Sequence, residues 1–201
     1  MTTLVKPQLS FDRFLAQCPD EGHFELINGE IVEMVNTRQH IDITDLIAKK
    51  IDQEIDRLNL NWVVKQNVVI KTTNKRGNEQ GRIPDVSVID RDFWRSAPTD
   101  YGALTEPIQM AVEVVSTNWE NDYVDKVYEY EKLGVKEYWI VDYLAIASRD
   151  IIGDPKWPTI SIYRLQETGQ YERNQFQGEQ VLESVTFPEL AITPTQIFQA
   201  A

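Results

Sequence analysis

Between residues 38 and 58 the apolar side chains Ile43, Leu46, Ile47, Ile51, Ile55 and Leu58 recur every three or four positions. That spacing predicts a long amphipathic helix, which needs a sheet to lie on. Residues 62–70 are rich in valine and read as a strand, and 83–89 as the next. Residues 109–115 are almost continuously apolar, interrupted only by Glu113, the pattern of a central strand buried on both faces. Residues 122–133 read as a helix stopped by Gly134, and 137–142 return as a strand. Strand, helix and strand in that order suggest a crossover unit.

The flanks are shorter. Ser10 is placed to cap a helix running to Gln17, with Phe11, Phe14 and Leu15 at helical spacing. Residues 23–27 and 30–34 flank Asn28-Gly29, a pair that favours a two-residue hairpin turn with positive φ angles. The polar stretch 72–81 reads as a turn or mobile loop. Residues 91–107, with Pro98, Gly102 and Pro107 and no period, read as a long loop able to fold over a site. Past Asp142, residues 159–165, 171–176 and 180–185 read as antiparallel strands extending the sheet, and 188–198 as a short closing element.

The 201 residues are enough for one well-cored domain, expected to span 1–201. No segment approaches the roughly 18 uninterrupted apolar residues of a membrane span. The first residues carry no apolar core with a small-residue cleavage site, so a cytoplasmic chain is expected. One cysteine, Cys18 near the end of the first helix, excludes a disulfide framework and a thiolate metal cluster. The net charge of −12 argues against a protein that grips nucleic acid through an extended basic surface. It does not exclude a nuclease, because acids gathered around a metal site contribute negative charge that cations offset. The segment 71–82, with Lys71, Lys75, Arg76 and Arg82, is locally basic and leads into Pro84-Asp85.

Asp85 opens one apolar run, Glu113 interrupts another, and Lys126 follows early in the next helix. Carboxylates inside β-branched runs are costly to bury without a compensating cation. Two acids and a lysine suit a metal-dependent phosphodiesterase, which needs an activated water and stabilisation of a pentavalent transition state. Mg²⁺, or Mn²⁺ in its place, would take Asp85, Glu113 and the backbone carbonyl of Val114, keeping several waters. Lys126 would orient the water or stabilise the phosphorane. The plainer readings are a strand-end Asp85 bonding turn amides, a structural Glu113–Lys126 salt bridge, and a solvated lysine. Glu25 is either a further ligand or, on spacing alone, an exposed strand residue. His40 either reaches the site or merely starts its helix, and Asp142 caps a turn. A Gly-rich phosphate loop, a His-Glu-x-x-His motif and a Gly-x-Ser-x-Gly elbow are all absent from the sequence.

Phe24-Glu25-Leu-Ile-Asn-Gly29-Glu30, His40 opening a helix, Pro84-Asp85-Val, Val112-Glu113-Val-Val-Ser116, Asp122, Lys126, Tyr130, Gly134-Val135 and Glu137-Tyr-Trp-Ile-Val-Asp142 together resemble the Uma2 family of the PD-(D/E)xK nuclease superfamily. The resemblance spans nearly the whole chain. It implies an α/β (α+β), restriction-endonuclease-like fold: a mixed central sheet flanked by helices, with the metal site on its central strands and Asp85 and Glu113 as ligands. The superfamily's lysine stands two residues after the glutamate, where this chain has Val115, so the resemblance transfers that role to Lys126. Glu25 and His40 occupy recurring positions of the family. The implied activity is a Mg²⁺-dependent DNA endonuclease acting by direct water attack, as a homodimer for double-strand cuts; that no membrane partner is expected follows from the lack of an apolar span. Its rivals are a non-catalytic interaction module that keeps the nuclease-like fold, and a metal-dependent hydrolase of another phosphoester.

Overall fold

The computed structural model describes residues 8–19, 21–97 and 102–200; the segment 1–7, on which the expectation of no leader partly rests, lies outside them. Ser10 accepts from the Arg13 N–H and starts α1 (Phe11–Gln17), whose Phe11 and Phe14 are buried. Next, β1 (Phe24–Ile27) and β2 (Glu30–Glu33) form the expected hairpin, with φ of 51° at Asn28 and 81° at Gly29. Thr37 caps α2 (Arg38–Arg57), which buries Ile43, Ile47, Ile51 and Ile55 along one stripe.

The expected strand over 62–70 is two strands. Asn67 takes a left-handed φ of 64° and redirects the chain, so β3 (Trp62–Lys65) and β4 (Val69–Thr73) serve different sheets. The stretch 72–81 is correspondingly not a loop: β4 pairs antiparallel with β5 (Glu79–Arg82) around a turn in which the Asn74 side chain accepts from the N–H groups of Arg76 and Asn78. Its polar sequence hid a strand because Gln80 and Arg82 are buried among hydrogen-bonding partners instead of hydrocarbon. Then come β6 (Val86–Asp90), α3 (Arg91–Ser96) capped by Asp90, and β7 (Ala103–Leu104), which pairs parallel with β4. The expected covering loop over 91–107 thus contains two short elements, and its residues 98–101, with Pro98, lie outside the described ones.

The strand β8 (Met110–Val114) is followed by Asn121–Lys126, wound as a π-helix, and by α4 (Val127–Leu133), ended by Gly134 at φ 93°. The helix predicted over 122–133 is therefore present with a widened first turn. After β9 (Glu137–Asp142) and the one-turn α5 (Arg149–Ile152), β10 (Thr159–Leu165) and β11 (Tyr171–Phe176) form an antiparallel hairpin on β9, and α6 (Pro194–Phe198) closes the chain. Residues 180–185 form no strand. They are tied down by Leu182 N–H to the Ile192 carbonyl and by the Val185 and Thr186 N–H groups to Glu137.

Two sheets result, β2-β1-β5-β4-β7 and β11-β10-β9-β8-β6-β3. In the larger, β8 and β9 run parallel, as a crossover through Asn121–Leu133 requires, while the other neighbours are antiparallel. Side chains alternate across β8. Met110, Val112 and Val114 join the isoleucines of α2 in one core, and Ala111 and Val115 join Tyr123, Tyr130 and Tyr138 in a second on the opposite face. Among the described residues no helix is long and apolar enough to cross a membrane.

Candidate metal centre

Glu113 has the same parity on β8 as Ala111 and Val115, so it points away from α2 and towards the Asn121–Leu133 helix. That helix delivers Lys126, whose Nζ lies 2.9 Å from Glu113 Oε2, 3.1 Å from Asp122 Oδ1 and 3.6 Å from Glu25 Oε1. Val115 faces the same side, which is why a lysine from the covering helix can reach the region a lysine at 115 would occupy. The Tyr130 hydroxyl donates to Glu113 Oε1 at 2.9 Å, and the Tyr138 hydroxyl donates to the backbone carbonyl of Asp122 within the π-helical turn.

Asp85 sits just before β6. The register Val86↔Val112, continued by one step, sets it opposite Glu113, and by two steps sets Pro84 opposite Val114. Pro84 has no N–H to offer a ladder. Val115 donates its N–H to β9, so the polar groups of Val114 face the β6 side, where its N–H donates to Asp85 Oδ2 at 2.7 Å. His40 Nε2 lies 2.8 Å from Asp85 Oδ1, with the imidazole as donor because a carboxylate only accepts. The Thr37 cap fixes the turn of α2 that carries His40.

Glu25, read from spacing as exposed, is only 1% exposed. Its face of the hairpin turns inward because β5 lies beside β1 and brings Arg82 into reach. Arg82, also 1% exposed, donates to Glu25 Oε2 at 3.1 Å and forks onto both oxygens of Glu129 at 2.8 Å, while Thr72 donates to the same Glu129. The Ile83 N–H completes the shell of Glu25 at 3.0 Å.

Sequence reasoning missed Asp122, Arg82 and Glu129 as members of this cluster. The Asp122–Lys126 spacing of four was a usable signal; Arg82 was marked only as the end of a basic segment between a stretch read as loop and the next strand, and Glu129 had no signal. Asp142 behaves as expected, accepting from the N–H groups of Ile146 and Ala147.

The electrostatics follow from crowding. Burial pushes the Glu113 carboxyl well above the usual carboxylate range, against the pull of Lys126, with Asp85, Asp122 and Glu25 adding to the rise. Burial likewise raises Asp122 to about 6 although Lys126 sits beside it. Glu25 is buried as deeply, yet Lys126, Arg82 and the Ile83 N–H outweigh that cost and hold it below the ordinary value. Lys126 is held well above its ordinary value: burial opposes its charge, but Glu113, Glu25 and Asp122 surround it. It stays an ammonium and cannot serve as a base near neutrality.

Asp85, Glu113, Lys126, Glu25, His40 and Asp122 all line one cleft of about 720 Å³. Five acids, Glu25, Asp85, Glu113, Asp122 and Glu129, share the region with two fixed cations, Arg82 and Lys126, an excess of three carboxyls over cations. Among the described residues, no three His, Cys, Asp or Glu side chains gather as a ready-made metal cage. The donor chemistry still fits a hard divalent ion: carboxylate oxygens from neighbouring strands and a carbonyl that Pro84 leaves without a ladder partner, with room for water.

Comparison with known proteins agrees with this architecture. A solved structure of a putative nuclease belonging to DUF820 from Anabaena variabilis superposes with a TM-score of 0.69 at 17% identity, covering 96% of this chain and 98% of that one, a likeness of fold. No curated protein matches the chain. The sequence model of Uma2, described as a putative restriction endonuclease, matches residues 11–195. The chain therefore belongs to the Uma2 family.

Proposed function

We propose that this chain, working as one domain, is a divalent-metal-dependent nuclease that hydrolyses phosphodiester bonds of DNA without a covalent intermediate. The observation that carries the reading is the excess of buried acids over cations where Asp85, Glu113 and Lys126 meet, because buried carboxyls need compensating charge. The Uma2 membership and the likeness of fold to the Anabaena protein, a putative nuclease, support it. Asp85, Glu113 and the Val114 carbonyl would hold Mg²⁺ or Mn²⁺, the latter also suited to carboxylate, carbonyl and water ligands. Bound there, the ion would acidify a water and neutralise charge on the phosphoryl oxygens. His40 orients Asp85, and Glu25, anchored by Arg82, steadies Lys126. Lys126, permanently charged, stabilises the phosphorane and the leaving oxygen.

One observation favours the rival reading of a non-catalytic module. Both oxygens of Asp85 and both of Glu113 already have protein partners: His40, the Val114 N–H, Tyr130 and Lys126. Calorimetry with Mg²⁺ or Mn²⁺ separates the two. The nuclease reading requires metal binding that is lost in Asp85→Asn, and metal-dependent cleavage of DNA that falls at least about a hundredfold in Glu113→Gln, the scale of losing a major transition-state contact. Protein that binds neither metal, with Glu113→Gln indistinguishable from the parent, would sink it.

A further inference from the structure

Nucleic-acid grooves are normally paved with lysine and arginine, because each phosphate contact depends on neutralising charge. The cleft around the acid cluster is not. Among the described residues that line it, Lys126 is the one lysine or arginine, and it is buried against three carboxylates. The basic segment 71–82 does not make up the lack: Lys71 pairs with Glu79, Lys75 stands over the Tyr128 ring, Arg82 is buried, and neither they nor Arg76 line the cleft. The mouth offers groups of another kind. His23 and Ile41 are exposed, and Val35 is 81% exposed, supplying a planar ring and two aliphatic side chains. Asn36, Asn118 and Asn121 line the same mouth, and each amide can both donate and accept.

Flat apolar contacts and amides match the faces and Watson–Crick edges of unstacked bases, the way single strands are read. A duplex hides those edges and presents two rows of phosphates, which a lining whose one lysine is buried and which bears Glu33 and Asp45 repels. The volume, about 720 Å³, lies in the range of sites that enclose a small ligand.

We propose that the cleft takes an unpaired strand of DNA, held through its bases by the mouth, with a single phosphate carried in to the acid cluster. This rests on the nuclease reading for what happens to that phosphate, but not for the preference in binding. One copy of the chain suffices, since only one strand is engaged.

The test uses the full chain with a fluorescein-labelled 12-nucleotide strand and the same sequence as a blunt duplex. Anisotropy is read for wild type in EDTA and for Glu113→Gln in Mg²⁺, and cleavage for wild type in Mg²⁺ and Mn²⁺. The expected result is binding of the single strand at least about tenfold tighter than the duplex. Raising salt from 50 to 200 mM should weaken it less than about threefold, the dependence of one phosphate contact on a single strand. His23→Ala and Val35→Ser, both at exposed positions where folding is not at stake, should weaken strand binding about fivefold and leave metal binding unchanged. Equal or tighter binding of the duplex, cutting of both duplex strands by a dimer, or a salt loss of about twentyfold or more, equivalent to three or more phosphates, would overturn the proposal while leaving the nuclease reading intact. Strand-selective binding without cleavage in either metal would uphold it and overturn the nuclease reading. Absence of binding to either form overturns it.

Discussion

The two faces of β8 are built from neighbouring residues of one strand and solve opposite problems. On the α2 side, Met110, Val112 and Val114 meet Ile43, Ile47, Ile51 and Ile55 in a hydrocarbon core. A carboxylate buried on that side of β9, Glu137, is met by neutral donors: the Trp139 indole, the Val185 and Thr186 N–H groups and the Thr186 hydroxyl. On the other side, Glu113 enters a cluster in which acids share two cations, Lys126 and Arg82. The first arrangement is strongly stabilising and chemically inert. The second carries heavy desolvation costs and unequal acids, tolerable because the first holds the sheet together.

That contrast can be broken most severely at Arg82. Arg82→Met leaves Glu129 buried without its cation and Glu25 with Lys126 alone, and should lower stability by about 3–5 kcal/mol in chemical denaturation. Adding Glu129→Leu should recover part of the loss, since an apolar pair avoids the stranded charge; a double variant no more stable than the single would contradict this account of the charged face. On the hydrocarbon face, Ile51→Ala should cost roughly 2–5 kcal/mol through its cavity. On the proposed metal-binding reading, calorimetry should find affinity unchanged in this variant, and a matching loss would show that the faces are not independent.

The finest distinction is in pH dependence. Asp122, raised to about 6 from the ordinary 3.8, binds its proton more tightly in the folded chain. Its contribution therefore falls as pH rises from about 4 to 6, by up to about 3 kcal/mol. Glu25, held below its ordinary value, acts with the opposite sign, and its contribution is lost as pH drops below about 4.5. Urea melts of Asp122→Asn across that range should show a shallower first slope, its remainder carried by Glu113, which burial also raises, and keep the second. A variant whose profile matches the parent's would remove Asp122 from the coupled set.

Where hydrophobic period and tertiary role coincided, the chain was legible. The 3.6-residue stripe of α2, the Asn28-Gly29 hairpin and the nearly unbroken run of β8 all stand as their patterns predict. Legibility failed where polar residues were buried by one another. Gln80 and Arg82 made β5 look like a loop, and the alternation of Phe24, Glu25 and Leu26 made Glu25 look exposed. It failed again at Asn67, where one left-handed residue parts a continuous valine run into two sheets. Asp85, Glu113 and Lys126 could be singled out because acids amid β-branched neighbours are costly. Glu129 could not, because nothing local marks it, and Arg82 stood out only as one member of a basic segment.

What the sequence determined by itself is the set of elements and the presence of two acids that hydrocarbon surroundings would not tolerate without a cation. Periodicity and desolvation cost are local properties, written into the order of residues. The tertiary structure decided which cation that is and how many acids compete for it. Lys126 reaches Glu113 because the helix over 121–133 crosses the face of β8 that Glu113 and Val115 share, and Glu25 and Arg82 arrive from a second sheet. Coulomb energy depends on distances in space and on the burial of the whole group. Neither is fixed until strands far apart in the chain have packed.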